Sequence, residues 1–343
     1  ADKSCLSPNL RKPRLQKDRQ FDLIVGNPPF GTKVANGDED QLDGAFLDDF
    51  VLGCGKQSIQ SEQIILEKSV SWLKPGGRLG MVLPDGVLNN SGSQSNCPAL
   101  REWLFKSGRI LSVISLPDFA FRRSGATNKT SILIFEKFSD LESARLGNQL
   151  EACEGDIAVA LKDSGLDYNI FFGEASHIGY TPSGRPDPRN DLYIADENGY
   201  LSDDQTGSIL GEWNVWEENG AVSDPRCVAE RASSVWRSHP SHRVDPKYHV
   251  YMAHKGDYVP HGWSSAPMMD LVKRMRRNVD FGKEPMKEYK VLTLSQTGVA
   301  RLREPGVGNN PPEWRGMYFY DSSSDWFEVR TSDIVYSGID LWK

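Results

Sequence analysis

An α/β fold built on a mainly parallel sheet is predicted by two observations. First, short apolar runs alternate with stretches of helical period: strand-like 21–26, helix-like 59–73, strand-like 78–83, helix-like 98–106, strand-like 110–116. Second, a fourth apolar run, 130–135, follows the third with no helix between them, so that pair is expected to be antiparallel. Strand–helix–strand–helix–strand with a hairpin-like return describes an α/β sheet whose edge strand is antiparallel.

Each element has its own signal. "FDLIVG" (21–26) is continuously apolar apart from Asp22, and Asn27-Pro28-Pro29 stops it. A polar, Gly- and Asp-rich stretch follows (31–57). In 59–73, Leu66, Val70 and Leu73 recur at helical spacing, and Pro75-Gly76-Gly77 is expected to end the helix. "RLGMVL" (78–83) is the next strand, closed by Pro84-Asp85-Gly86. Pro98 suits the first turn of the second helix, and Ser107-Gly108 its end. "ILSVISL" and "TSILIF" complete the set, separated by a polar loop holding Arg122 and Arg123. In sheets of this kind ligands sit beyond the carboxyl ends of the parallel strands. Asn27-Pro28-Pro29-Phe30, Pro84-Asp85-Gly86 and Leu116-Pro117 all fall there.

Bulk properties narrow the class. The 343 residues suffice for two domains; 25% are charged, and the mean hydropathy is −0.50. No apolar run approaches a membrane span, and the first thirty residues hold no secretory pattern, which sets the expectation of a cytoplasmic protein with no membrane partner. Cys5, Cys54, Cys97, Cys153 and Cys227 lie far apart, consistent with a reducing compartment. The net charge of −7 hides an uneven distribution. Residues 138–225 hold 18 acidic against 4 basic residues, whereas 226–290 hold 13 basic against 7 acidic. Basic flanks around an acidic segment are compatible with a nucleic-acid partner. Beyond Lys137 the chain reads as an acidic connector (138–235), rich in Pro, Gly, Asp and Asn over 179–204. From 236 a second unit is expected, with strand-like "YKVLTLS", "GMYFYDSS" and "SDIVYSGIDLW".

Asn27-Pro28-Pro29-Phe30 is the motif with chemical content. The exocyclic amine of adenine is a poor nucleophile because its lone pair is delocalised into the ring. If both N–H groups donate to oxygens, the nitrogen can pyramidalise and present that pair. The Asn27 side-chain oxygen and the Pro28 carbonyl can accept them, the two prolines stiffen the turn beforehand, and Phe30 offers a flat face for an extruded base. The competing reading is a plain strand-ending turn. Asn310-Pro311-Pro312-Glu313 fits that description, since no apolar strand feeds it and Glu313 replaces the aromatic.

"FDLIVGNPPFGTK", "LKPGGRLGMVLPDGVL", "LREWLFKSGRILSVISLPDFAF" and "ATNKTSILIFEK", in that order across 21–137, closely resemble the modification subunits of type I restriction-modification systems and related N6-adenine DNA methyltransferases. "IGYTPSGRPDPRNDL" (178–192) resembles the segment after the methylase core in fused relatives. "HRVDPKYH" (242–249) and "WFEVRTSDIVYSGIDLWK" (326–343) resemble the target-recognition region of specificity subunits or single-chain enzymes, although Gly338 stands where a basic residue is expected. The resemblance implies a partial Rossmann-like methyltransferase sheet, the C-terminal half with an antiparallel edge strand, plus a second α/β or α+β target-recognition domain. It divides the chain into a catalytic half (1–137), a connector (138–235) and a partial recognition domain (236–343). Double-stranded DNA, a specificity subunit and a restriction nuclease subunit are the implied partners, and Asn27, Pro28, Pro29 and Phe30 the implied catalytic residues.

The same resemblance implies S-adenosyl-L-methionine as methyl donor, bound by a Gly-rich turn after the first strand of the family's sheet. Only twenty residues precede Phe21, and Asp2 alone stands where the family's donor-bordering acid is expected. "GVGNN" (306–310) and "FFGEAS" (171–176) are the later Gly-containing candidates, and each reads more simply as a loop. The sequence therefore sets the expectation of an internal or C-terminal fragment, inactive and unable to bind the donor alone. Two alternatives stay open: transfer to RNA or a protein glutamine amide, and a non-catalytic DNA-binding or scaffold role.

Weaker constellations remain. Lys273, Arg274, Arg276 and Arg277 form a basic run suited to phosphates or to an exposed helix face. Five histidines cluster between 239 and 261 with irregular spacing and no cysteine, so no metal is expected.

Overall fold

The computed structural model describes residues 21–37, 46–92, 95–122 and 128–264, and beyond them two short strands and isolated positions. It divides into two compact units, Ala1–Pro260 and His261–Lys343.

In the first unit β1 (Phe21–Gly26) leads through the Asn-Pro-Pro turn to β2 (Lys33–Ala35), which pairs antiparallel with β3 (Ser58–Gln60). Helix α1 (Ser61–Trp72) follows directly, burying Ile64, Leu66 and Val70. It ends at Trp72, and Pro75-Gly76-Gly77 lies within the next strand, β4 (Leu73–Pro84), because Leu73 is already extended. Short α2 (Asp85–Asn89) and α3 (Cys97–Ser107) lead into β5 (Gly108–Ser115). Gly108 permits a direct helix-to-strand passage: a Cβ there would lie 2.2 Å from the Glu136 carbonyl oxygen. β6 (Thr130–Lys137) then returns antiparallel, as expected.

The order of the central sheet is β1-β4-β6-β5, continued by β7 (Asn169–Glu174) and β10 (Cys227–Arg231). β1 with β4 and β5 with β7 are parallel; the other pairs are antiparallel. The α/β class is thus observed, but the antiparallel strand of residues 130–137 is not at the edge. It lies between β4 and β5, with Leu133 opposite both Met81 and Val113. Its apolar residues explain this: Leu133 and Phe135 are fully buried on one face, and Ile132 and Ile134 half-buried on the other. A strand apolar on both faces belongs in the covered middle of a sheet.

The segment 138–235 is likewise not a connector. α4 (Asp140–Ala152) begins with a capping box, the Ser139 hydroxyl receiving the Glu142 N–H while the Glu142 carboxylate receives the Ser139 N–H. α5 (Ile157–Asp163) buries four of its residues, and β7 brings Ile170, Phe171 and Phe172 to zero exposure. The acids that suggested a solvated linker lie mainly on the outer sides of helices and in turns, as at Glu151, Glu154 and Asp163. A small hairpin, β8 (Ile178–Tyr180) with β9 (Pro186–Asn190), and α6 (Ile209–Asn219) complete this stretch.

The expected boundary at 236 also moves. α7 (Ala232–Ser238) and α8 (Pro246–His254) pack on the same sheet: Trp236 meets Phe105 edge-on at 5.3 Å, and His249 stacks on Phe172 at 4.2 Å. "HRVDPKYH" therefore belongs to the first unit, with Val244, Asp245 and His249 buried. The clustered histidines find protein partners: His242 stacks on Trp236, His239 bonds Ser241, and His249 contacts Glu230 and the Arg243 carbonyl. Of the second unit, β11 (Leu292–Leu294) and β12 (Ala300–Leu302) form an antiparallel pair. "GMYFYDSS", most of "SDIVYSGIDLW" and the Asn310 turn lie outside the described residues.

Candidate active site

The turn after β1 is seated from its far side. The Ser61 hydroxyl donates to the Pro29 carbonyl at 3.0 Å, the Ser61 N–H to the Thr32 carbonyl at 2.8 Å, and the Gly31 N–H reaches Glu62 Oε2 at 3.4 Å. The first turn of α1 thus fixes the chain leaving the motif. Pro28 is buried, whereas Asn27 is exposed, and its carboxamide makes no hydrogen bond to a described residue. Phe30 is half-buried and meets Phe121 edge-on at 6.4 Å. Phe121 comes from the loop after β5, which the hairpin braces: Phe119 packs on Tyr180, and the Tyr180 hydroxyl donates to the Ala120 carbonyl at 2.6 Å. Two of the three strand-end loops named from sequence therefore touch.

The third, Pro84-Asp85-Gly86, borders a cavity of about 520 Å³ that begins at Gly31. Asn27, Pro28, Pro29 and Phe30 stand beside this cavity and not in its wall. Asp85 accepts a hydrogen bond from the Ser131 hydroxyl at 2.7 Å, with Lys129 Nζ 4.0 Å away. Burial holds the Asp85 and Glu62 carboxyls above the usual carboxylate range; Ser131 and Lys129 oppose the effect at Asp85, and backbone N–H groups oppose it at Glu62. Two carboxyls with raised pKa thus line a polar cavity next to the motif. Sequence reading missed Glu62 and Lys129. Glu62 is the second residue of a helix, and Lys129 directly precedes β6; neither position stands out until the helix N-terminus and the strand end are seen to meet.

The other sequence-predicted residues are not gathered here. Arg122 is exposed, one residue from Phe121, with Asp118 at 4.0 Å. In the second unit Lys273 is exposed, and Arg277 is engaged with Asp333 at 2.6 Å. Asp2, Arg123, Arg274 and Arg276 lie outside the described residues. Residues 171–174, weighed as part of a donor loop, are β7 in the buried sheet. Among the described residues no strand runs through a Gly-rich turn into a helix, so they do not form the donor cradle that the resemblance implies.

Residues 2–147 match the model of the N-6 DNA Methylase family. The segment is also similar to curated relatives. The chain is 30% identical over 128 residues to the type I restriction enzyme EcoEI methylase subunit of Escherichia coli, covering 37% of this chain and 23% of that protein. To the type I restriction enzyme StySPI methylase subunit of Salmonella potsdam it is 25% identical over 224 residues, covering 64% of this chain and 36% of that protein. The chain thus spans between about a quarter and a third of these relatives' length. Among solved structures, the type I restriction-modification system methyltransferase subunit from Streptococcus thermophilus is similar with a TM-score of 0.41 and 16% identity, over 68% of this chain and 39% of that one. The resemblance drawn from residues 21–137 is borne out by the family match. The matched segment ends inside α4, and β7 and β10 extend the sheet beyond the matched residues.

Proposed function

We propose that this chain carries the target-adenine half of a site-specific N6-adenine DNA methyltransferase of the restriction-modification type. The observation that carries the proposal is the exposed Asn27 carboxamide just after β1, without a hydrogen bond to a described residue, beside a half-buried Phe30 and inside the matched segment. In this reading the Asn27 side-chain oxygen and the Pro28 carbonyl accept the two N–H groups of the adenine amine. The buried Pro28 ring and the bonded Pro29 carbonyl keep that turn rigid, so the acceptors need no rearrangement when the base arrives. Phe30, supported by Phe121, stacks on the extruded base. Arg122, Arg123, Lys273, Arg274, Arg276 and Arg277 are assigned to DNA phosphates, and the second unit to target recognition alongside a specificity subunit and a nuclease subunit.

The transferred methyl group comes from S-adenosyl-L-methionine in this class of enzyme. The described residues offer it no cradle, and the chain by itself is expected not to bind it measurably by calorimetry; micromolar, stoichiometric binding would overturn that extension. The main test is Asn27→Ala in the intact gene. Adenine methylation of DNA from cells expressing it should be lost, with protein level and DNA binding unchanged. Methylation within tenfold of the parent would remove Asn27 from the role assigned to it.

A further inference from the structure

The β2–β3 ribbon has two unlike faces. Its register pairs Lys33 with Gln60, Val34 with Ile59, and Ala35 with Ser58. Alternation puts Val34 and Ile59 on one face, where they are 3% and 5% exposed. Lys33, Ser58 and Gln60 share the other face, and Lys56 follows them two residues along from Ser58, with its carbonyl held by Asn36 Nδ2 at 3.2 Å. All four of these residues line the cavity that begins at Gly31. Neither Lys33 nor Lys56 makes an ion pair with a described residue, unlike Lys74 and Lys106 on the surface, which pair with Asp22 and Glu102. Lys129 stands in the same cavity wall, between Asp85 and Glu174 at 4.0 and 3.7 Å.

We propose that the polar face of this ribbon is a phosphodiester clamp, in which Lys33 and Lys56 hold the sugar-phosphate backbone of the DNA strand next to the extruded adenine. This rests on the methylase reading of the motif. A base drawn out toward Phe30 carries its flanking phosphates to the surface beyond Gly31, where the two ammonium groups, without an ion pair to a described residue, and the exposed Ser58 stand. The apolar underside fixes the ribbon to the core, so the ammonium groups are presented from an anchored platform. Such contacts position the strand and carry no sequence information. The site therefore suits a DNA backbone of any sequence, in contrast to the base-specific turn at Asn27.

The test is the salt dependence of duplex binding by the full 343-residue chain, read by fluorescence anisotropy at salt concentrations from roughly 50 to 300 mM NaCl. Each phosphate neutralised contributes roughly 0.9 to the slope of log K against log salt. Lys33→Gln with Lys56→Gln should lower that slope by about 2, without changing the preference among duplex sequences. Lys74→Gln with Lys106→Gln, which removes the same charge elsewhere, should leave the slope in place. Circular dichroism checks that both double variants are folded. An unchanged slope in the Lys33/Lys56 variant overturns the clamp while leaving the role of Asn27 standing. An equal fall in both double variants also overturns it, because the effect would then come from net charge alone. A parent chain without salt-dependent duplex binding overturns the clamp and counts separately against a DNA substrate. The role of Asn27 itself fails only if Asn27→Ala methylates normally.

Discussion

At the scale of single residues, a buried carboxylate of α1 holds the chain that precedes it. Glu67 is 7% exposed and accepts the N–H groups of Val51 and Leu52 at 2.6 and 2.9 Å, one on each carboxylate oxygen. Burial raises its pKa, yet replacing the carboxyl with an uncharged amide should not help. The amide would keep one acceptor oxygen and turn an NH₂ group toward the second donor. Glu67→Gln is therefore expected to cost about 1–3 kcal/mol, the usual penalty for a buried unsatisfied group, read as a lower urea midpoint with unchanged m. Phe30→Ala belongs to the same scale. Loss of base–aromatic stacking should weaken retention of the extruded base by about 1–3 kcal/mol. 2-Aminopurine at the target position reports this by its fluorescence, and an unchanged signal would assign the stacking to another side chain.

At the scale of elements, the start of α4 is tuned by charge. The Arg109 guanidinium, which bonds Glu142 across from β5, lowers the Glu142 pKa to about 2 from 4.5. A depressed carboxyl contributes stability that is present above its unfolded value and lost as pH falls toward the folded value. The shift corresponds to at most about 3 kcal/mol, and with both side chains about one-fifth exposed we expect about 1 kcal/mol after solvent screening. Glu142→Gln should thus flatten the fall in urea midpoint between pH 4.5 and about 2. Glu62, Glu67 and Asp85 act with the opposite sign: their raised pKa values favour the fold below the ordinary carboxylate range, and that contribution is lost as pH rises through the raised values. Most of these elements were legible in the sequence, because β1, β4, β5 and β6 are continuous apolar runs bounded by Pro, Gly or Asn. β7 was not, although Ile170-Phe171-Phe172 is just as apolar. Three apolar residues in a strongly acidic stretch do not outweigh its composition, and only pairing with β5 reveals where they are buried. The motif turn was legible for a related reason: a strand, two prolines and an aromatic are all local signals. The cavity beside it was not, because Glu62, Asp85 and Lys129 come from three separated segments.

On the scale of the whole molecule, one side chain ties distant parts of the first unit together. Arg101 is fully buried and donates to the carbonyls of Val87 at 2.8 Å, Asn90 at 2.9 Å and Ser241 at 2.6 Å. Burial lowers its pKa to about 10, so it remains charged at neutral pH. Arg101→Ala would strand three carbonyls and is expected to cost about 3–5 kcal/mol, with new protease cleavage between α7 and α8. Arg101→Lys should rescue little, since one ammonium cannot reproduce the forked guanidinium. Among the described strands, β1 forms one end of the sheet. Phe21, Leu23 and Val25, on one face of β1, are 46%, 63% and 77% exposed. Contiguous apolar surface of this kind favours association. Leu23→Lys with Val25→Lys should reduce concentration-dependent sedimentation of the chain while leaving the urea midpoint within about 0.5 kcal/mol.

The placement of β6 between β4 and β5 has a consequence for how the protein is made. Both neighbours are synthesised before it, yet neither can be joined to the other until Lys137 has left the ribosome. Ser241, the last carbonyl partner of Arg101, follows that arginine by 140 residues. At elongation rates of roughly 5–20 residues per second, Arg101 waits about 7–30 s for it. Until β6 emerges, the nascent chain displays the facing edges of β4 and β5, and Arg101 lacks its Ser241 partner for longer still. Slow codons placed far enough beyond residue 137 for β6 to have cleared the exit tunnel should let the sheet close before the later helices arrive, and raise the yield of folded protein; the same codons placed so that the pause comes before β6 clears it should lower the yield.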